Sequence, residues 1–187
     1  MKATGIVRRI DDLGRVVIPK EIRRTLRIRD GDPLEIFVDR DGEVILKRYA
    51  PIRELGEFAK EYAESLFEVT GHITCISDRD TIIAISGASK KEYLNKAVRP
   101  IVEQAMEERK TIHIGIAREH PLCKSCPEND DGDSCKYTSE VIAPIILQGD
   151  TIGTVMFLSK EPNMTMGELE TKLVETAAGF LAKQMEH

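Results

Sequence analysis

Between Met1 and Arg29 nine basic side chains (Lys2, Arg8, Arg9, Arg15, Lys20, Arg23, Arg24, Arg27 and Arg29) stand against three acids, Asp11, Asp12 and Glu21. The chain as a whole carries a net charge of −5, so a local excess of six positive charges marks one end for a polyanionic partner. These arginines are threaded through apolar runs instead of being gathered in a tail, and a folded surface would hold them at fixed positions. Guanidinium groups at fixed positions can donate bidentately to phosphate or to guanine, or enter a narrow A·T-rich minor groove, where a lysine acts only as a point charge. Such a pattern is that of a DNA reader.

A second group of reactive side chains lies between 120 and 135. His120, Cys123, Cys126 and Cys135 form a Cys-x-x-Cys pair with a histidine three residues before it and a third thiol nine residues after it. Three thiolates and an imidazole make a tetrahedral zinc set, although the second half of a standard zinc signature is missing. The same thiols could instead form a redox pair with a resolving partner, or serve no chemical role. Asp130, Asp131 and Asp133 would favour a cation in the loop and raise the thiol pKa values. The remaining cysteine, Cys75, falls in a strand pattern and is expected as a small buried hydrophobe; His72 and His113 have no neighbours in sequence that suggest catalysis.

The elements that must carry the arginines are short. Gly5 to Ile10 and Arg15 to Ile18 read as strands about a turn at Asp11-Asp12-Leu13-Gly14. Pro19 suits the first turn of a helix, in which Ile22, Thr25 and Leu26 share one face and Lys20, Arg23, Arg24 and Arg27 lie largely on the other. Leu34 to Val38 and Val44 to Leu46 form a hairpin about Asp39-Arg40-Asp41-Gly42. Some fifty residues built this way bury too little surface to stand alone, and dimerisation is the simplest remedy. A symmetric dimer doubles the arginine surface and matches two half-sites on a duplex.

The run from Ala3 to Pro19, with its Gly14-Arg15-Val16-Val17-Ile18-Pro19 core, followed by Glu21-Ile22-Arg23-Arg24-Thr25-Leu26, resembles the DNA-binding domain of the AbrB-type transition-state regulators. Over its whole length the chain is similar to the sporulation branch of that family, which carries a GAF domain behind the DNA-binding end. The resemblance implies a swapped-hairpin β-barrel dimer with Arg8, Arg9, Arg15, Arg23 and Arg24 facing DNA and Lys2 and Lys20 as auxiliary phosphate contacts. It further implies an activator and repressor of sporulation genes, located with the nucleoid in the forespore.

The rest of the chain is acidic. Through Arg53 there are 13 basic and 9 acidic residues; the remainder holds 14 and 23. The expected organisation is therefore an AbrB-like domain over 1–50, a linker and helix start over 51–56, and a GAF-like domain over 57–187. Leu55, Phe58, Ala59, Tyr62, Leu66 and Val69 recur at helical spacing until Gly71. Strands follow at Ile73–Ser77 and Thr81–Ser86. Ser89-Lys90-Lys91-Glu92 reads as a capping box, Pro100 as a helix start, and Thr111–Ile116, Ser139–Leu147 and Thr151–Leu158 as strands. Thr165-Met166-Gly167-Glu168 reads as a second capping box before a helix carrying Leu169, Leu173, Ala177, Phe180 and Leu181. This order, an α+β fold with an antiparallel sheet flanked by helices, is similar to a GAF domain, a sensory fold that could take an unidentified small ligand. The first and last helices are apolar enough on one face to pair within a dimer or between dimers, giving a dimer and then a tetramer, or simply to cover their own sheet.

Several classes are excluded or held back. No run approaches the roughly 18 apolar residues that would span a membrane, and Met1-Lys2-Ala3-Thr4 leads into no apolar signal core, so a cytoplasmic location is expected. No phosphate-binding glycine loop or catalytic triad is present, and the expectation is a regulator, not an enzyme. Two competing readings remain: a thiol enzyme reducing methionine sulfoxide on the GAF-like fold, and a protein-binding antitoxin built on the basic domain.

Overall fold

The computed structural model describes residues 5–115 and 136–186, and the chain divides into two compact units, Met1–Tyr49 and Ala50–His187. In the first unit Asp11 starts a turn closed by hydrogen bonds from Asp11 N to the Arg15 carbonyl and from Gly14 N to the Asp11 carbonyl, with Gly14 at φ +76°. Helix α1 (Lys20–Thr25) begins directly after Pro19, whose ψ of 146° is extended. A proline fits there because the first turn of a helix leaves its N–H groups unpaired in any case. Strands β1 (Leu34–Val38) and β2 (Val44–Arg48) pair antiparallel with Leu34 opposite Arg48 and Val38 opposite Val44. The hairpin turns through Gly42 at φ +80°.

Two strands expected from the sequence, Gly5–Ile10 and Arg15–Ile18, lie outside any strand or sheet in the single chain. A strand exists only with a partner, and within the single chain neither outer edge of the β1–β2 pair takes up these segments. The unit also lacks an interior. Among its described residues Pro19 alone is buried, while Val7, Ile10, Leu13, Val17, Ile36 and Val38 are each more than three-fifths exposed.

The second unit is three-layered. A five-stranded antiparallel sheet runs in the order β4 (Ile82–Ser86), β3 (Ile73–Asp78), β7 (Asp150–Ser159), β6 (Ser139–Leu147), β5 (Ile112–Ile114). Helices α2 (Gly56–Thr70) and α5 (Glu168–Gln184) cover one face, where Ala59, Ala63, Ile76, Phe157, Val174 and Leu181 pack together. Short α3 (Lys90–Tyr93) and α4 (Pro100–Glu108) cover the other, with Cys75, Ile101, Val102, Ile142, Met156 and Leu158. Because both faces are covered, β6 and β7 read as nearly continuous apolar runs without alternation.

The segment ahead of α2 belongs to this core. Pro51–Arg53 forms a 3₁₀ turn, Ile52 is fully buried in the cluster under α2 and α5, and Arg53 Nε pairs with the buried Asp78 carboxylate. Asp78 Oδ1 also accepts the backbone N–H groups of Asp80 and Thr81, which closes the β3–β4 turn.

Helix ends explain where sequence patterns held and where they slipped. Gly71 terminates α2 in the left-handed region at φ +72°, as its position after the periodic run requires. The Ser89 capping box does not form: Ser89 makes no side-chain cap bond, and α3 stops after four residues, with Asn95 at φ +62° just beyond it. α5 starts later than the Thr165 pattern suggests. Gly167 is its cap, and its N–H donates to Glu170 Oε2 at 2.6 Å. On α5, Leu169 is exposed and the buried stripe runs through Val174, Ala177, Ala178 and Leu181.

Candidate nucleic-acid interface

The arginines of the first unit divide by how they are held. Arg8 and Arg9 lie exposed on the extended segment before the Asp11 turn, and Lys20 and Arg24 are exposed on α1. Arg15 is gripped from behind: Asp11 Oδ2 accepts its Nε at 2.8 Å, while Asp11 Oδ1 accepts the N–H groups of Leu13 at 3.0 Å and Arg15 at 2.8 Å. Arg15 keeps 70% of its side-chain surface exposed in this grip. The N–H donors of Arg15 hold the Asp11 carboxyl below the usual aspartate range, the backbone bond contributing most and the guanidinium next. Arg23 is held differently. A terminal nitrogen of its guanidinium, Nη1, pairs with Asp30, whose own side chain is almost wholly exposed. The left-handed Arg27 (φ 54°) ends α1, and Ile28 N closes back onto the Arg23 carbonyl.

Sequence reasoning named the arginines and missed their carboxylates. The spacing of four between Asp11 and Arg15 was a readable signal; Asp30, seven residues from Arg23, carried none. Lys2 lies outside the described residues. So do His120, Cys123, Cys126 and Cys135, and with them the zinc or thiol site expected from the sequence. Among the described residues no group of three or more His, Cys, Asp or Glu side chains is placed to hold a metal ion.

In the second unit the polar side chains also converge, though from distant parts of the chain. Arg99 forms a buried ion pair with Glu140, which is fully enclosed, and its guanidinium carbon lies 4.6 Å from the Tyr137 ring centroid. Tyr137 donates to the Tyr93 hydroxyl at 3.0 Å. Lys136 and Lys160 reach Glu92 at 2.9 and 3.4 Å and lie over the Tyr93 ring; Lys136 above all holds the Glu92 carboxyl below its ordinary value. The buried Arg99 and Glu140 charges stand beside each other, as burial demands. Cys75 lies fully buried, with its thiol pushed up to about 12 by desolvation, so it is a packing residue as expected. His72 stands 3.8 Å from Glu170, and His113 Nε2 is 2.6 Å from the Met166 carbonyl oxygen; neither is arranged for catalysis.

Residues 7–54 match the family described as antidote-toxin recognition MazE, bacterial antitoxin. The transition state regulatory protein AbrB of Bacillus subtilis (strain 168) is 65% identical over 51 residues, 27% of this chain and 52% of AbrB. The second unit is similar in fold to the GAF domain of a phosphoenolpyruvate-protein phosphotransferase from Coxiella burnetii (TM-score 0.59, 20% identity, 73% of this chain and 91% of that one). It is also similar to the type II free methionine-R-sulfoxide reductase from Thermoplasma acidophilum (TM-score 0.54, 14% identity, 71% and 95%). At such identities these likenesses show the fold alone. A basic AbrB-like domain ahead of a C-terminal domain whose family is described as a transcription factor makes this a DNA-binding transcription regulator and not an enzyme. Residues 54–186 match the family described as stage V sporulation protein T C-terminal, transcription factor, and stage V sporulation protein T of B. subtilis (strain 168) is 60% identical over 186 residues, 100% of this chain and 99% of that protein. The chain belongs to the stage V sporulation protein T family of AbrB-type regulators.

Proposed function

We propose that this regulator binds A·T-rich duplex DNA as a swapped-hairpin dimer through Arg8, Arg9, Arg15, Arg23 and Arg24, with Lys2 and Lys20 as auxiliary phosphate contacts. The observation that carries the reading is the pairing of exposed arginines with an absent interior: among the described residues, thirteen of the seventeen exposed large apolar side chains belong to the first unit. A second copy supplies what that unit lacks, a core and strand partners for 5–10 and 15–18, and aligns two sets of arginines. The GAF-like unit assembles dimers into a tetramer through α2 and α5 and modulates DNA binding, with a small ligand or a zinc or thiol event at residues 120–135 as its input. Working in the cytoplasm with the nucleoid, in the forespore, it activates some sporulation promoters and represses others.

The test is fluorescence anisotropy on an A·T-rich duplex across a salt series, with the native chain and Arg15→Ala/Arg23→Ala. Each phosphate neutralised contributes about −0.9 to the slope of log affinity against log salt, so a dimer using all ten arginines would approach a slope of about −9. The expected result is a slope steeper than about −4 for the native chain and loss of binding in the double variant with its circular dichroism unchanged. Equal binding by both would transfer the basic face to a protein partner.

A further inference from the structure

The two oxygens of Asp11 have separate tasks. Oδ1 organises the turn by accepting Leu13 N and Arg15 N, and Oδ2 accepts Arg15 Nε alone. A guanidinium held at Nε is gripped on the side edge that Nε shares with one terminal nitrogen, and its end-on edge, one N–H from each terminal nitrogen, stays open to donate bidentately to a base or a phosphate. An acid beside a DNA-contacting arginine should by simple electrostatics weaken binding. This one is placed so that it also reduces the rotational freedom that a four-rotor side chain would otherwise lose on contact with the duplex.

We propose that Asp11 is a positioning residue for DNA recognition, acting through Arg15: its carboxylate sets the turn and presents the outer edge of the Arg15 guanidinium to the duplex. This rests on the reading that Arg15 contacts DNA. Its consequence runs against the charge count. Asp11→Asn adds one positive charge per chain to a polyanion-binding face, keeps an acceptor for the two backbone donors, and replaces the grip on Nε with an amide.

The experiment is a double-mutant cycle in the full-length chain, with anisotropy on the A·T-rich duplex at fixed salt for native, Asp11→Asn, Arg15→Ala and the double variant. It is accompanied by thermal melts and by the ¹⁵N–¹H resonance of Arg15 Nε. The expected result is that Asp11→Asn weakens binding about threefold, within the range that an exposed ion pair supplies. The double variant should match Arg15→Ala alone, and the Nε–H resonance should move to the position of a solvated arginine. If Arg15→Ala weakens binding while Asp11→Asn tightens it or leaves it unchanged, electrostatics governs and the inference is overturned, with the DNA reading intact. If Asp11→Asn costs as much in the Arg15→Ala background as in the native one, its role is to the turn and not to Arg15, which also overturns it. If Arg15→Ala binds as the native chain does, it is the assignment of Arg15 to DNA that fails.

Discussion

Ile52→Ala tests whether the segment entering the second unit is part of its core. Ile52 is fully buried among residues of α2, α5 and the sheet. Truncating a buried isoleucine to alanine costs the transfer of the lost methyl and methylene groups plus the cavity they leave, typically 2–5 kcal/mol and about 3 kcal/mol for a site on the rim of a core. For a unit of this size each kcal/mol lowers the melting temperature by about 3 °C, so the variant should melt about 10 °C below the native chain. The assay is differential scanning calorimetry of the full chain, following the transition of the second unit. Val69→Ala is the control, since Val69 on α2 is 81% exposed and its loss should move the transition by under about 2 °C. A shift for Ile52→Ala no larger than that of the control would refute the reasoning and return residues 51–56 to a linker role.

Gly153→Ala should be among the most damaging single changes in the sheet. An added Cβ would stand 2.0 Å from the Ser77 carbonyl oxygen, where no rotamer change relieves it, and we expect a loss of about 3 kcal/mol in guanidinium unfolding. Glu170 is held below its ordinary value of 4.5, first by the Gly167 N–H and then, against the opposing effect of burial, by His72. A depressed folded-state pKa contributes stability that is present above the unfolded value and lost as pH falls through the folded one. Melts from neutral pH to below pH 4.5 should therefore show an acid-side loss that Glu170→Gln flattens; an unchanged profile in that variant counts against the cap. Peptide mapping after iodoacetamide treatment at about pH 8 should find Cys75 unmodified in the folded protein and alkylated once unfolded.

What was legible in the sequence is what short-range chemistry encodes. The excess of arginines before residue 30, the Gly14 to Pro19 core and the proline ahead of α1 are readable because each constrains only its neighbours. The ends of α2 follow from apolar spacing and from a glycine that alone accepts the left-handed turn at 71 without strain. The separation of the chain into a basic and an acidic part is a matter of composition. These features suffice for the family and for the candidate interface.

The tertiary structure decided whatever depends on residues far apart in the chain. Local alternation made strands of 5–10 and 15–18, but a ladder needs a partner, and within one chain neither outer edge of the β1–β2 pair takes them up. Ile52 looked like part of a linker because its burial is created by helices up to 130 residues away. The pairing of Arg99 with Glu140, 41 residues apart, and the close approach of Gly153 to Ser77 leave no periodic trace, since neither is repeated along an element. Asp11 stands between the two cases. Its spacing from Arg15 was visible, but only the folded turn assigned one oxygen to the backbone and the other to the guanidinium, because that division depends on the direction in which the chain bends.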